Sequence, residues 1–491
     1  MQDQNKEVRF VDTTLRDGPM SLWATRMTTS MMLPVAERLD EAGFEAIEII
    51  ASAFFKKCVR DLREDPWQRL DLVAQLIRKT PLRAIRGRYM TAFQITPRAL
   101  EDLFVERLAA HGIRQARNSD SSNTVAVWRE HQKAVRRVGW EGITNLIYSL
   151  SPKHTDAYYA ERARAAVEIG SDRLCIKDPG ALLTPDRVRT LVPMVLAAAG
   201  SVPVELHTHC ITGLGAVCYA EGIRLGIRSV NTAVPPLAEA SSNPSVFDTV
   251  RNARAMGYRP MIDVEALKPV EAHFTRVAKQ HGFPIGAPAA YDYAQYIHQV
   301  PGGMISNFRD HLSKVGAGDK LEVVLEEVGR VRADLGYPIM VTPYSQFVGA
   351  QAAMNVVSGA RYKVIPDEII EYALGYWGEE EASSIDPDIR DRILGMPRAH
   401  ELAKRRPSEP TLQELRQKYG GAGVDDDELL IRFLAGEDDV AAMRTGKPPL
   451  ESLGPHHPLA SLLGQMGKWP QCSLVRLEKG GLKLTLAKRQ A

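Results

Sequence analysis

Short apolar segments alternate with longer segments of helical periodicity through the first half of the chain, and this alternation constrains the fold more than any other feature. The eight apolar segments are residues 8–14, 44–50, 82–87, 112–118, 143–150, 173–178, 203–209 and 229–234. Good helix formers with apolar residues every three or four positions occupy the intervals, as in 31–43 and 155–170. Eight strands alternating with helices over about 240 residues predict an α/β fold, a (β/α)8 TIM barrel. A doubly wound open sheet is the alternative, but no GxGxxG motif follows the first strand.

The character of the chain changes after the barrel segments. A Pro-Gly-Gly sequence at 301–303 breaks regular structure, and segments such as 319–336 and 345–359 then show helix-like patterns. We therefore predict a barrel in residues 1–295, a mainly helical unit in 296–446 and a C-terminal tail in 447–491. The end of the tail is either a small hairpin across Gly480-Gly481 or a loosely attached segment.

The composition excludes several classes of function. Lys and Arg total 62 against 60 acidic residues, so no net field favours nucleic acid or an anionic membrane surface. No apolar run is long enough for a membrane span, and the first ten residues lack a signal-peptide core. The five cysteines are scattered and show no CxxC spacing, which is typical of reduced thiols. We expect a cytoplasmic protein.

Candidate metal ligands lie at the ends of three predicted strands. His207 and His209 follow an apolar strand and share one face because strand side chains alternate, and Asp17 follows the first strand. A carboxylate with two imidazoles at a barrel mouth is a good ligand set for Zn²⁺ or Mn²⁺, whereas an isolated HxH pair could simply face solvent. Lys177 ends another strand and could bind metal only as a carbamate formed with CO2. Unmodified, it would pair with Asp178 or another acid.

The motifs around these residues resemble the carboxyltransferase subunits of biotin-dependent enzymes. That family includes the carboxyltransferase domain of pyruvate carboxylase, the oxaloacetate decarboxylase alpha subunit and the transcarboxylase subunit that acts on pyruvate. The matching motifs include DTTLRDGPM (12–20), CIKDPGALLTP (175–185), HTHCITG (207–213), HQVPGGMISN (298–307) and VTPYSQFVGAQAAMN (341–355). The resemblance spans most of residues 8–435 and implies a metal-centred barrel whose C-terminal helical extension completes a substrate funnel.

The resemblance also implies roles for individual residues. The family's metal ligands correspond to Asp17, Lys177 as a carbamate, His207 and His209, and the metal would be Zn, Mn or Co. Its arginines for the substrate carboxylate correspond to Arg16 and Arg86, since a guanidinium fork matches a carboxylate. Its proton-shuttling threonine corresponds to Thr342. The catalytic set implied by the family is therefore Thr342, Lys177 and Arg16.

The family reaction passes CO2 from carboxylated biotin to an enolisable acid of the 2-oxo-acid type, and the reverse reaction decarboxylates the product. The chain contains neither a Met-Lys-Met biotin-attachment motif nor a glycine-rich ATP-grasp segment. We therefore expect biotin on a separate carrier protein and, as further partners, a biotin carboxylase subunit and the small acid substrate. The family also implies a homo-oligomer.

Departures from the family pattern lie around the substrate. Met20 replaces a glutamine, Lys56 replaces a carboxylate, Phe93 replaces a tyrosine, and residues 116–124 replace the stretch FRIFDALND. These changes make the substrate-binding wall more apolar and add a cation, which suggests an altered or larger substrate, with a second anionic group as one possibility. Drift in a weakened paralogue is the alternative.

Two other functions remain open at this stage. Lyases like 3-hydroxy-3-methylglutaryl-CoA lyase share the DTTLRDG opening and the HTH ending, and Gly18 resembles them more than the carboxyltransferases. Such an enzyme would use a metal without biotin. A non-catalytic paralogue is the second, although the complete set of four ligand residues argues against it. The long helical extension favours the carboxyltransferases.

Overall fold

The computed structural model describes residues 6–91, 94–300, 318–404, 409–445, 474–479 and 482–487. Eight parallel strands form a closed barrel: β1 Glu7–Asp12, β2 Ala46–Ala51, β3 Leu82–Arg86, β4 Ile113–Asn118, β5 Glu141–Ile147, β6 Arg173–Asp178, β7 Val204–Thr208 and β8 Ser229–Thr232. Strand β1 pairs with both β2 and β8, which closes the barrel. The predicted (β/α)8 barrel is confirmed, and closure excludes the open sheet. A two-residue strand, β9 Arg259–Pro260, also pairs with β1.

Helices surround the barrel because their apolar faces cover the outer side of the strands. They are α1 Asp17–Leu22, α2 Thr29–Glu41, α3 Ser52–Lys57, α4 Pro66–Leu76, α5 Arg98–Ala110, α6 Val125–Arg137, α7 Asp156–Glu168, α8 Pro185–Ala199, α9 Gly215–Leu225, α10 Val246–Ala255, α11 Val264–His281 and α12 Ala294–His298. A π-helical turn, Cys58–Leu62, continues α3. Gly226 ends α9 with a φ of 119°, a conformation that favours glycine, and so turns the chain into β8.

The interior of the barrel is charged rather than apolar. Arg83 donates to both oxygens of Glu205 at 2.8 and 2.9 Å, and both side chains are fully buried. Glu48 accepts from Arg117 on one oxygen and from Arg16 on the other. Buried charges are tolerated only when they form well-oriented ion pairs and hydrogen bonds. This network therefore holds the strands in fixed positions directly below the mouth of the barrel.

A second unit with its own apolar core follows the barrel. Its helices are α13 Leu321–Asp334, α14 Tyr344–Ser358, α15 Asp367–Ala373, α16 Glu379–Ser383, α17 Pro387–Leu394 and α18 Pro397–Leu402, and a 3-10 turn, Gly318–Lys320, precedes them. Val328, Phe347, Ile370 and Trp377 are among its buried residues. We refer to residues 318–404 as the helical unit; it lies within the predicted helical region 296–446.

The last helices return to the barrel. They are α19 Leu412–Lys418, α20 Asp426–Ala435 and α21 Glu437–Arg444, and their buried residues Leu429 and Phe433 belong to the core of the barrel. His111 of the barrel lies between two aspartates there, 2.7 Å from Asp71 and 3.0 Å from Asp427. The helices of the predicted region 296–446 thus pack in two places. Those of residues 318–404 form a core of their own, and α19 to α21 pack against the barrel.

An antiparallel hairpin of β10 Leu474–Lys479 and β11 Leu482–Ala487 occurs in the tail, which matches the hairpin alternative. The other residues of 447–491 lie outside the described ranges. Among the helices that the structure describes, none combines the length and the apolar character needed to cross a membrane. Cys58, Cys175, Cys210 and Cys218 are buried free thiols.

Candidate active site

A cavity of about 420 Å³ lies at the carboxyl ends of the barrel strands. The barrel and the helical unit both contribute to its wall. Its lining includes Arg16, Asp17, Met20, Ser52, Ala53, Ile85, Arg88, Ser119, Lys177, His209, Val341, Thr342 and Trp377. The helical unit therefore forms a roof over the barrel mouth.

Three of the predicted metal ligands meet at one side of this cavity. Ligand atoms of Asp17, His207 and His209 all lie within 4.8 Å of one another. His207 Nε2 is 3.4 Å from one carboxylate oxygen of Asp17, and His209 Nε2 is 3.5 Å from the other. Asp17 opens α1 directly after β1, whereas the histidines end β7, so barrel closure brings these residues together.

The hydrogen bonds of the two rings direct each Nε2 toward Asp17, and Asn243 Nδ2 also lies 3.3 Å from Nε2 of His207. His209 Nδ1 donates to the carbonyl of Ser241 at 2.6 Å, and His207 Nδ1 donates to Asn231 Oδ1 at 3.1 Å. His209 Nε2 is buried without a hydrogen-bond partner among the described residues. Burial and the nearby Arg117 hold the pKa of His207 well below its usual value, so this imidazole is neutral.

The carboxylate of Asp17 completes the donor set. Burial alone would raise its pKa, but the charged neighbourhood, with the Arg16 guanidinium as the largest opposing cause, holds the pKa well below its usual value. Ser21 donates to the same carboxylate at 2.9 Å. Carboxylate oxygens and imidazole lone pairs that face each other repel unless a cation lies between them. The residues present therefore fit a divalent metal.

Lys177 reaches the cavity from β6 as a free amine. Its Nζ lies 3.3 Å from Ser119 Oγ, and it forms no ion pair with any residue that the structure describes. Asp178, the alternative partner, instead accepts two backbone N–H bonds and the hydroxyl of Thr208. Burial, with Arg117 as the next cause, lowers the pKa of Lys177 to about 8. The lowered pKa increases the neutral fraction of the amine, and the neutral amine is the form that reacts with CO2.

Arg16 lies between the charged interior and the cavity. Its Nε donates to Glu48 at 3.0 Å, and its Nη2 is 2.8 Å from Asp17. Its Nη1 makes no hydrogen bond within the described part of the chain, so this donor can take a carboxylate. Met20, one helical turn further along α1, lines the cavity beside it. Both predicted positions are thus at the site.

Arg86, in contrast, is not among the residues that line the cavity, and its expected role toward the substrate carboxylate stays a prediction. Strand side chains alternate, and Arg83 and Ile85 point into the barrel and its mouth. Arg86 therefore points outward, where it donates to the carbonyl of His131 at 3.4 Å and borders a separate small cavity with Glu101.

Two further predicted positions are not at the described site. Lys56 is exposed on α3 and does not line the cavity, to which Ser52 and Ala53 contribute instead. The expected extra cation near the substrate is therefore not supplied by Lys56. Phe93 lies outside the described residues.

Thr342 enters the site from the helical unit. It borders the cavity just before α14, and its carbonyl accepts a hydrogen bond from Ser121 Oγ at 2.9 Å. Ser122 Oγ also donates to the hydroxyl of Tyr344 at 2.8 Å. The loop after β4 thus holds the segment that carries Thr342, and it places the threonine over the same cavity as Asp17.

A charged residue of the cavity, Arg88, was not predicted from the sequence. Arg88 donates to both oxygens of Asp120, at 2.5 and 3.0 Å, and to Glu381 of the helical unit at 2.6 Å. Its position two residues after β3 is a sequence signal for the barrel mouth. Glu381 follows 293 residues later and carries no comparable signal.

Two family models match the chain and together cover both units. The model described as "HMGL-like" matches residues 7–273, and the "Conserved carboxylase domain" matches residues 296–438. The second match covers the extension that favours the carboxyltransferases over the lyases.

Curated relatives agree with the family models. A pyruvate carboxylase subunit of Methanocaldococcus jannaschii is 38% identical over 390 residues, which cover 79% of this chain and 68% of that protein. The corresponding pyruvate carboxylase subunit of Methanothermobacter thermautotrophicus is 32% identical over 92% of this chain and 81% of its own length. The 2-oxoglutarate carboxylase large subunit of Hydrogenobacter thermophilus is 32% identical over 87% of this chain and 66% of its own length.

Solved structures show the same fold. The carboxyl transferase domain of Rhizobium etli pyruvate carboxylase, solved with pyruvate, has a TM-score of 0.81 at 22% identity and covers 99% of this chain and 84% of that one. The same domain with oxamate and biotin gives 0.80 at 23% identity, over 90% and 78% of the two chains. With the barrel, the roof and the relatives in agreement, the chain belongs to the carboxyltransferase family of biotin-dependent enzymes.

Proposed function

We propose that this chain transfers CO2 between biotin on a separate carrier protein and an enolisable 2-oxo acid, in the cavity between the barrel and the helical unit. The observation that supports this most directly is that Asp17, Lys177, His209 and Thr342 border one cavity although three come from the barrel and one from the roof. The names of the relatives, two pyruvate carboxylase subunits and a 2-oxoglutarate carboxylase, support the substrate class.

Asp17, His207 and His209 would hold a divalent cation, Zn, Mn or Co, with Lys177 as its carbamate supplying a further oxygen. When bound, the metal would stabilise negative charge that develops on the substrate oxygen. The neutral state of His207 and the free Nε2 of His209 support this assignment.

The chain's own groups would bind the acid and move a proton. Arg16 would bind the substrate carboxylate through its free Nη1, with its other nitrogens held by Glu48 and Asp17. The hydroxyl of Thr342 would carry a proton between the substrate carbon and the biotin ring, for which it must contact both. The roof would limit the access of water during this transfer.

Met20 would select among 2-oxo acids, since it lines the cavity one turn from Arg16 with an apolar surface. The biotin carboxylase subunit, the homo-oligomer and the cytoplasmic location stay predictions. A biotin-independent lyase and a non-catalytic paralogue are the alternatives to be separated by experiment.

The test measures fixation of ¹⁴C-bicarbonate into acid-stable product by the purified chain with a biotin carboxylase, a biotin carrier protein and ATP. Pyruvate, 2-oxobutyrate and 2-oxoglutarate are offered in turn. We expect incorporation with at least one acid, loss of that signal with avidin, and a loss of about 100-fold or more in Thr342→Ala.

Thr342→Ser is the matched control, because it keeps the hydroxyl and should retain activity. Activity that avidin leaves unchanged would support the lyase instead. No incorporation with any of the acids, from protein that contains metal, would refute the proposed function.

A further inference from the structure

A buried ionic cluster joins the barrel to the roof beside the cavity. It consists of Arg88, Asp120, Thr124 and Glu381, and we call it the Arg88 cluster. The two nitrogens Nε and Nη2 of Arg88 bind Asp120, and Nη2 also binds Glu381 at 2.6 Å and Thr124 Oγ1 at 2.8 Å. Relative exposures are 7% for Arg88, 0% for Asp120 and 5% for Glu381. Charged side chains that are this well shielded from water must keep their hydrogen-bond partners, so the cluster holds its members in place.

Asp120 also shapes the loop that it belongs to. Its Oδ2 accepts the backbone N–H of Ser122 at 3.3 Å and that of Thr124 at 2.6 Å. The carboxylate that binds Arg88 therefore also sets the path of residues 119–124. Any shift of Arg88 is transmitted to this loop through one shared group.

The same loop holds Thr342. Ser121 bonds the carbonyl of Thr342, and Ser122 bonds the hydroxyl of Tyr344. Hydrogen bonds and the backbone of this loop therefore connect Glu381 in the roof, through Arg88 and Asp120 in the barrel, to Thr342 in the roof. The roof is held twice, once directly by Arg88 and once through the loop.

Gly378 shows how closely the cluster is built. A Cβ at this position would lie 1.9 Å from Oε2 of Glu381 and 2.8 Å from Nη1 of Arg88. Its φ of 131° also disfavours any other residue. Glu381 Oε2 is buried without a hydrogen-bond partner among the described residues, so Oε1 makes all the described contacts of this carboxylate. Any larger residue at 378 would have to displace the side chains of Glu381 and Arg88.

We propose that the Arg88 cluster is a positioning device for Thr342: it sets the height and orientation of the threonine hydroxyl above Asp17 and the two histidines. Arg88, Asp120 and Glu381 are thus positioning residues that act on proton transfer rather than on the binding of the 2-oxo acid. Proton transfer requires contact of the hydroxyl with both partners, so small displacements reduce the rate steeply. This inference rests on the proposed function.

The chain offers a matched control in the neighbouring residue. Glu380 also forms an ion pair with a barrel arginine, Arg162 of α7. Its side chain is 39% exposed, against 6% for Glu381, and it is outside the series of bonds that reaches Thr342. Glu380→Gln therefore removes a contact between barrel and roof without changing the cluster.

The kinetic test compares Glu381→Gln, Arg88→Lys and Glu380→Gln in the complete carboxylation assay. We expect the first two to lower kcat about tenfold or more while KM for the 2-oxo acid changes less than about twofold, and Glu380→Gln to stay near wild type. Arg88→Lys keeps the charge but loses the two-pronged bond to Asp120. A rise in KM with kcat unchanged would overturn the proposal.

A double-mutant cycle asks whether the cluster acts through Thr342. In the Thr342→Ala background, Glu381→Gln should reduce kcat by less than about twofold further, because the positioned group is already missing. Equal fold losses in both backgrounds would mean that the cluster acts elsewhere and would overturn the proposal.

Hydrogen exchange provides a readout that needs no activity. We expect faster amide exchange in residues 339–345 and 119–124 of Glu381→Gln than of Glu380→Gln, with α8 on the far side of the barrel unchanged. Equal exchange rates in the two variants would overturn the inference. An inactive wild-type enzyme that still shows this difference would refute the proposed function alone.

Discussion

Replacing Glu48 with glutamine tests whether the charged interior of the barrel contributes to stability. Glu48 is fully buried, and its carboxylate is shared between Arg117 and Arg16. Burial alone would raise the pKa of this carboxyl, but Arg117, Arg16 and Arg83 lower it from 4.5 to about 2. Glutamine keeps the shape and removes the charge, which leaves two buried guanidinium groups short of an anion.

The size of the effect follows from that pKa. The difference between 4.5 and about 2 corresponds to roughly 3 kcal/mol, at about 1.4 kcal/mol per pH unit. The cost of breaking a buried ion pair, about 3–5 kcal/mol, agrees. Because the pKa is lowered in the folded state, this stability is complete above pH 4.5 and disappears as the pH falls toward 2. Near pH 3 about 1 kcal/mol should remain.

The assay is urea-induced unfolding followed by circular dichroism, with EDTA present so that metal binding does not contribute. We expect Glu48→Gln to lower the free energy of unfolding by about 3 kcal/mol at pH 7 and by progressively less below pH 4.5. Glu265→Gln is the control: it removes an exposed ion pair with Lys268 and should have no measurable effect. A difference below about 1 kcal/mol at pH 7, or one that stays constant down to pH 3, would refute the reasoning.

Three further predictions concern the metal ligands and the returning helices. Wild-type protein should contain about one divalent metal ion per chain by elemental analysis, and His207→Ala/His209→Ala should contain none; metal retained by the double variant would place the ion elsewhere. Gly215→Ala should weaken metal binding about tenfold or more in a chelator titration. The new Cβ would lie 2.7 Å from Cys210 Sγ and 2.9 Å from the carbonyl of His209, and would therefore displace the backbone of this metal ligand. Unchanged affinity would show that the backbone of His209 can shift without loss of the metal. Burial lowers the pKa of His111, but its two aspartates outweigh burial and raise it. The contribution of His111 to the stability of the fold should therefore be complete below about pH 6.5 and be lost as the pH rises through the raised pKa. The difference in Tm between wild type and His111→Gln should accordingly shrink from about pH 6 to about pH 9. A difference that stays constant over this range would contradict the prediction.

The sequence predicts the barrel well because its signals are local. Each strand is a short apolar segment between helical segments, and all eight were found at their observed places. The positions of Asp17, Lys177, His207 and His209 follow for a related reason: the strand ends of a barrel meet at one mouth, so sequence position places these residues at the same end of the barrel. Their role as metal ligands stays a prediction.

The sequence is less informative where the arrangement depends on the direction of a side chain or on a contact between residues far apart in the chain. Arg86 ends its strand as predicted, but strand alternation turns it away from the mouth, whereas Arg88 lies beyond the strand and reaches it. Lys56 lies on α3, which turns it to solvent although its neighbour Ala53 lines the cavity. The return of α20 to the barrel could not be predicted, since its apolar face would fit either core.

The return of the last helices to the barrel has a consequence for how the roof moves. The barrel tethers the helical unit at both ends, through α12 on one side and α19 to α21 on the other. A displacement of the unit large enough to pull α20 off the barrel would expose Leu429 and Phe433, so large displacements are costly. A loop of chain with both ends fixed also explores less space than a free one, which raises the effective concentration of the roof over the mouth. Closure of the roof over the cavity therefore costs little conformational entropy.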